Sequence, residues 1–194
     1  MLKVAVCGNI ASGKSEVQRV LQSLGYKVFD TDLAGHEVLL EYSEKIQEAF
    51  SNFSVTENGK ISREKLGKVV FNDKKQLEKL NSLVHPLIKE KILNFFAENS
   101  SEKLLFVAIP LLFEAGMEGL FDKIIFVSAD DKIRLERLIK RNGYTEDYAQ
   151  KRLDSQIPQE IKIPKSDFVI ENNSTLSNLQ ESVTTLVRKL ERLV

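Results

Sequence analysis

The sequence is short of the residues that several functions need. A single cysteine among 194 residues excludes an internal disulfide, and Cys7, at the end of the first apolar run, reads as a small buried core residue and not as a nucleophile. Charge of one sign is also missing. With 28 basic residues balancing 28 acidic ones, bulk electrostatics favours neither a nucleic acid nor a membrane surface, and any anion site has to be built locally. No apolar stretch approaches the roughly eighteen residues of a membrane span, and no leader pattern opens the chain, which together predict a soluble, cytoplasmic protein. Repeats and low-complexity tracts are absent as well. The length predicts one domain whose extra parts are insertions into a single sheet.

What the chain does have is Gly8-Asn9-Ile10-Ala11-Ser12-Gly13-Lys14-Ser15, directly after the apolar run 2–7. Glycine at 8 and 13 lets the backbone turn and approach a ligand where a Cβ would obstruct it, so successive N–H groups can converge on phosphate oxygens. Lys14 is then placed to reach β- and γ-phosphates, the Ser15 hydroxyl to ligate Mg²⁺, and the following helix to add its positive end. The pattern reads as a phosphate-binding loop with a nucleoside triphosphate as its ligand; the bland alternative is a glycine-rich turn beside a solvated lysine.

Short apolar runs at 2–7, 27–29, 104–109, 123–127 and 168–170 look like buried strands, with helical patterning between them. Val17, Val20, Leu21 and Leu24 mark a first helix that Gly25 ends, and Leu176, Leu179, Val183, Leu186, Leu190 and Leu193 mark a terminal helix with one apolar face. Such alternation predicts a parallel sheet covered on both faces, with ligands at the carboxyl ends of its strands. The segment 33–101 breaks the alternation and reads as a helical insertion without a convincing strand. Within it Asn58-Gly59 marks a turn, Pro86 is expected to break the helix after His85, and Leu77, Leu80, Leu83 and Leu87 suit an interhelical core.

Three further groups could carry chemistry. Asp30-Thr31-Asp32 follows the second strand, where one aspartate can hold Mg²⁺ and another can accept a hydroxyl proton, or both can cap the next helix. Arg134, Arg137 and Arg141 fall on one helical stripe apart from Leu135, Leu138 and Ile139, so they are expected to converge away from the core, either on a phosphoryl group or on Asp130, Asp131 and Glu136. Glu114, in Pro110-Leu111-Leu112-Phe113-Glu114, either orients a metal-bound water or starts a helix. Asp32-Leu33-Ala34-Gly35 also fits the D-x-x-G pattern of a nucleotide switch, but no N-K-x-D sequence for guanine recognition follows.

Taken together these motifs resemble the dephospho-CoA kinase family, over nearly the whole chain. The loop 8–15, the paired aspartates, Ile61-Ser62-Arg63 with Leu66 and Val70-Phe71, His85-Pro86, the run 110–114, the three arginines, and Gln156, Lys162, Asp167 and Asn172-Asn173 are similar to its signatures in order and spacing. The resemblance implies a P-loop α/β core with a parallel five-stranded sheet and three layers (1–33, 100–130 and 159–194), a helical acceptor-binding insertion at 34–99 and a lid at 131–158. It implies transfer of phosphate from ATP to the ribose 3′-hydroxyl of dephospho-CoA, giving CoA and ADP, the last step of coenzyme A synthesis. ATP would then be bound by Gly8, Ala11, Ser12, Gly13, Lys14, Ser15, Glu16 and Arg137, and Mg²⁺ by Ser15 and Asp30. Lys14, Asp32 and Arg141 would be catalytic, and Asp32, Arg63 and His85 would face the acceptor, although a histidine before a proline is equally at home as a structural helix-end residue. The C-terminal pattern would lie near the adenine end.

Some positions depart from the family pattern. Glu16 stands where threonine is usual and would repel ATP if it faced the α-phosphate; Asn9 and Ala11 stand where glycine is frequent; Lys162 replaces a frequent arginine and Ser166 a usual alanine. The rival readings are another nucleoside or nucleoside monophosphate kinase of the same fold and a non-catalytic nucleotide-dependent switch. Oligomeric state is not written in the pattern.

Overall fold

Along Leu2–Gly8 (β1), Val4 and Val6 point to one face and Ala5 and Cys7 to the other, and all four are buried, as a central strand covered on both sides requires. The structure, a computed structural model, describes residues 1–194. In chain order β1 is followed by α1 (Lys14–Ser23), β2 (Val28–Asp30), α2 (Thr31–Glu41), α3 (Ser43–Ala49), β3 (Thr56–Glu57), β4 (Lys60–Ile61), α4 (Arg63–Asn72) and α5 (Lys74–Glu98). Then come β5 (Leu104–Ala108), β6 (Lys123–Ser128), α6 (Asp131–Asn142), α7 (Glu146–Asp154), α8 (Gln159–Lys162), β7 (Phe168–Glu171) and α9 (Leu176–Glu191).

The main sheet has the order β2-β5-β1-β6-β7, every pair parallel, with Val4 opposite Phe106 and Gly8 opposite Val127. Because all five strands run the same way, the residues just after them share one rim: the loop at 8–15, Asp30, Pro110, Ala129 and Asn172. On one face, Val17, Val20 and Leu21 of α1 and Leu179, Val183, Leu186 and Leu190 of α9 pack on Val4, Val6, Phe106, Ile125 and Val127. Each such large side chain is worth about 1.5–3 kcal/mol relative to exposure. Burial pushes the Cys7 thiol up to about 12, so it stays protonated and inert in the core.

The chain divides into two compact units, Met1–Asp30 with Phe96–Val194, and Thr31–Phe95. In the second, Ile46, Phe50, Val55, Ile61, Leu66 and Val70 form a core against which Leu77, Leu80 and Leu83 of α5 pack. Here the structure departs from the sequence pattern twice. Asn58 and Gly59, both at positive φ, close a small antiparallel hairpin of β3 and β4, too short to show an alternating pattern. More notably, α5 does not stop at Pro86 but runs unbroken to Glu98. Proline removes one i→i−4 bond, here to the carbonyl of Ser82; Pro86 is exposed, so water can take that place, and apolar packing at Leu77, Leu80 and Leu83 before it and at Ile92 and Phe96 after it holds both halves. No helix is long and apolar enough to cross a membrane.

Since Pro86 fills no core space, Pro86→Ala is expected to raise the unfolding free energy by about 2 kcal/mol, the helix gain less the lost restriction of the unfolded chain. That corresponds to a rise in Tm of roughly 4–8 °C. A fall in Tm would show that the ring itself shapes the helix.

Candidate functional site

The site begins where β1 runs out. A Cβ on Gly8 would lie 2.5 Å from the Val127 carbonyl oxygen and 2.6 Å from Ser12 Oγ, so the sheet itself demands glycine there. Ser12 N–H donates to the Asn9 carbonyl at 3.0 Å and closes the turn. Ala11 takes φ 62°, a left-handed conformation that costs an alanine about 1–2 kcal/mol, and Gly13 takes φ 99° as the residue preceding α1. A Cβ at Gly13 would also lie 2.0 Å from Asn172 Nδ2. Beyond it Lys14 opens α1, whose first turn leaves backbone N–H groups directed out of its positive end. Ser12 is buried and its Oγ has no hydrogen-bond partner.

Side chains from the C-terminal third hold this loop from outside. Arg134 Nε donates to the Ile10 carbonyl (3.0 Å), Gln156 Oε1 accepts from Ile10 N–H (2.7 Å), and Asn172 Nδ2 donates to the Ser12 carbonyl (2.8 Å). Arg137 Nη2 donates to the Asn172 carbonyl at 2.9 Å. Asn9 donates to the Ile157 carbonyl and accepts from Lys162, which is paired with Glu114. Glu114 does not start a helix, since residues 110–115 form turns, and its Oε1 is engaged by the buried Lys162 ammonium.

The expected stripe of three outward arginines does not form. Arg134 is 3% exposed, because it lies one turn before the fully buried Leu138 and its guanidinium is drawn in by Ile10 and by Asp131 at 2.7 Å. Arg137 is half-buried, and Arg141 is exposed, bonded to Asn142 at 2.9 Å. Arg134 Nη2 and Arg137 Nη1 are buried donors without partners. Alongside, Leu138, Ala149 and Leu153 of α6 and α7 form a small core that includes Ile10 and Ala11. Asp167 goes elsewhere: preceding β7, it holds Lys123 and the Ile124 amide at the amino edge of the sheet, opposite the loop. Burial opposes its ionisation, but the Lys123 ammonium and that amide outweigh it and keep its carboxyl below the usual range.

Asp30 ends β2 and accepts from Gln18 of α1 at 3.0 Å, an orienting contact no sequence motif announced. Glu16 is paired with Arg19 at 2.5 Å, which compensates the charge that a carboxylate beside the loop would otherwise bring. No three His, Cys, Asp or Glu side chains gather into a metal cage. Ser15 and Asp30 offer only hard oxygen donors, which fits Mg²⁺, an ion that takes one or two protein oxygens and completes its shell with phosphate and water.

In the second unit Asp32 lies in the first turn of α2, and the D-x-x-G stretch is helical, unlike a switch loop. His36, one turn after Asp32, stands 3.4 Å from Arg63 at the start of α4. The sequence pattern singles out Arg63 and misses His36, since nothing marks a histidine in mid-helix. His85 is half-buried in α5, and burial pushes its imidazole below the usual histidine range.

A parallel sheet whose central strand passes through such a loop into a helix defines a P-loop nucleotide-binding protein. The dephospho-CoA kinase family profile matches residues 2–178. The dephospho-CoA kinase of Fusobacterium nucleatum is 39% identical over 93% of this chain and 94% of its own length, and that of Listeria innocua 37% over 96% of each. Among solved structures, TT1252 from Thermus thermophilus superposes with a TM-score of 0.87 at 30% identity, covering 97% of both chains. The dephospho-CoA kinase from Campylobacter jejuni gives 0.77 at 32%, covering 98% of this chain and 97% of that one. The chain belongs to the dephospho-CoA kinase family. A shikimate kinase from Bacteroides thetaiotaomicron, at TM-score 0.54 and 14% identity, shares the fold alone, over 98% of each chain.

Two outcomes follow from this geometry. Gly13→Ala, strained by at least about 1–2 kcal/mol and colliding with Asn172, is expected to lower Tm and abolish nucleotide binding, whereas Ala11→Gly, which relieves a left-handed alanine, leaves Tm unchanged or higher. Calorimetric melting of both variants checks the contrast. For His85 the sign is set by its depressed folded pKa: the contribution is complete above the unfolded value near 6.5 and is lost as pH falls through the folded one. Denaturant titrations of His85→Gln should therefore show a shallower loss of stability below about pH 6.5 than the native chain.

Proposed function

We propose that this chain transfers the γ-phosphoryl group of ATP to the ribose 3′-hydroxyl of dephospho-CoA, giving CoA and ADP in the cytoplasm. The observation that carries the reading is the phosphate loop, shaped by Gly8, Gly13 and the outer clamps, in a chain that matches the family over residues 2–178. On this reading residues 34–99 receive the acceptor and residues 131–158 serve as the lid.

Binding of the triphosphate falls to the loop N–H groups other than those of Ile10 and Ser12, which Gln156 and the Asn9 carbonyl already hold, together with the α1 N-terminus and Lys14. The unpartnered donor on Arg137 and the exposed guanidinium of Arg141 add positive charge where the phosphoryl group moves. Ser15 and Asp30 hold Mg²⁺, whose charge neutralises the phosphates, and Gln18 fixes the Asp30 carboxylate. Asp32 accepts the proton of the 3′-hydroxyl as its oxygen bonds to the γ-phosphorus and the bond from that phosphorus to the β-phosphate oxygen breaks, leaving ADP. Arg63 and His85 bind the acceptor's phosphate or ribose. Glu16, neutralised by Arg19, does not oppose ATP.

Incubation with Mg-ATP and dephospho-CoA should yield CoA by mass, with nucleoside monophosphates giving no saturable ADP release. Asp32→Asn is expected to lower kcat by about 10²–10⁴ while ATP affinity changes little, and Lys14→Ala to abolish turnover. Near-native turnover in Asp32→Asn would remove Asp32 as the base; turnover only with a nucleoside monophosphate would reassign the acceptor.

A further inference from the structure

Lys162 has its side chain 2% exposed, and its ammonium touches two groups: Glu114 Oε1 at 2.5 Å and Asn9 Oδ1 at 2.8 Å. Glu114 is itself only 23% exposed. Taking an ion pair out of water is seldom a net gain in stability, since an apolar pair of similar volume does as well or better. Its effect has to be sought in what the pair holds. Asn9, 4% exposed, accepts from Lys162 and donates Nδ2 to the Ile157 carbonyl at 3.0 Å, so both ends of its amide are pinned. Its backbone carbonyl receives the Ser12 N–H that closes the loop.

The next residues show what this pinning opposes. Ala11 occupies a left-handed conformation that alanine avoids, and it lies between Ile10, held at both its N–H and its carbonyl, and Ser12, held by Asn172. Left to itself that segment would relax toward ordinary φ values and turn its amides away. A strained backbone persists only when its surroundings over-determine it. We propose that Lys162, through Asn9 and with Glu114 as its counter-ion, is a positioning residue that keeps the phosphate loop in its binding shape and so sets the affinity for the nucleotide. It acts through Asn9 and touches no reacting atom. Because affinity scales with the fraction of loops already in the competent shape, loosening this anchor weakens binding without changing chemistry in the loops that do bind. The inference rests on the loop's being the ATP site, and it extends that reading to a residue outside the loop.

Nucleotide affinity is the direct test, measured by titration calorimetry with ATP and with ADP on the full chain. Lys162→Met is expected to raise both Kd values at least tenfold and Lys162→Arg to restore them to within threefold. In turnover, KM for ATP should rise while kcat at saturating ATP and KM for the acceptor stay within threefold. The double variant Lys162→Met with Glu114→Leu, which leaves no uncompensated charge, should regain the native Tm yet keep the weakened Kd; Asn9→Ser, which cuts the link with the ion pair intact, should weaken Kd likewise. Native Kd in Asn9→Ser, or recovery of Kd together with Tm in the double variant, overturns the proposal. A native chain that binds ATP but makes no CoA would sink the assigned activity and leave this test standing.

Discussion

A loop that turns its N–H groups inward toward an anion must turn carbonyl oxygens outward, and an outward carbonyl buried against protein costs about 1–3 kcal/mol unless it meets a donor. Two of the clamps on residues 8–15 answer that requirement directly. The Ile10 and Ser12 carbonyls are taken by Arg134 and Asn172, side chains that follow strands β6 and β7. The sheet order places β6 beside β1 and β7 beside β6, all parallel, so residues far apart in the chain meet at one rim. Gly13 is as much a consequence of Asn172 packing against it as of its φ.

The same requirement explains how a chain with no net charge builds an anion site. Arg134, Arg137 and Lys162 are brought around one loop with Lys14, and Arg134 and Lys162 are partnered there by the acidic residues Asp131 and Glu114. Donors left over beside the loop include the α1 N-terminus and the buried, unpartnered atoms Ser12 Oγ, Arg134 Nη2 and Arg137 Nη1. Local direction, not total charge, makes the site.

Much of this architecture is legible in the order of the amino acids. The five apolar runs are the five strands of the main sheet, the three central ones nearly continuous in apolar residues because they are buried on both faces, and the terminal leucine face is α9 against the sheet. The loop is legible because its geometry depends on glycine, a local property. Pro86 misleads because one missing hydrogen bond is a local cost that packing on both sides of it offsets. Helical spacing puts Arg134 in solvent because it cannot reveal a carbonyl that the neighbouring strand's loop presents. Gln18 beside Asp30 and His36 beside Arg63 carry no spacing signal at all.

The amino-acid sequence by itself determined the strands of the main sheet, the phosphate loop and the kind of ligand it suits, because periodicity and glycine act over a few residues. Only the tertiary structure decided which polar side chains hold the loop and which remain for the ligand, since burial and hydrogen-bond partnership depend on groups more than a hundred residues apart, such as Asn172 and Ser12.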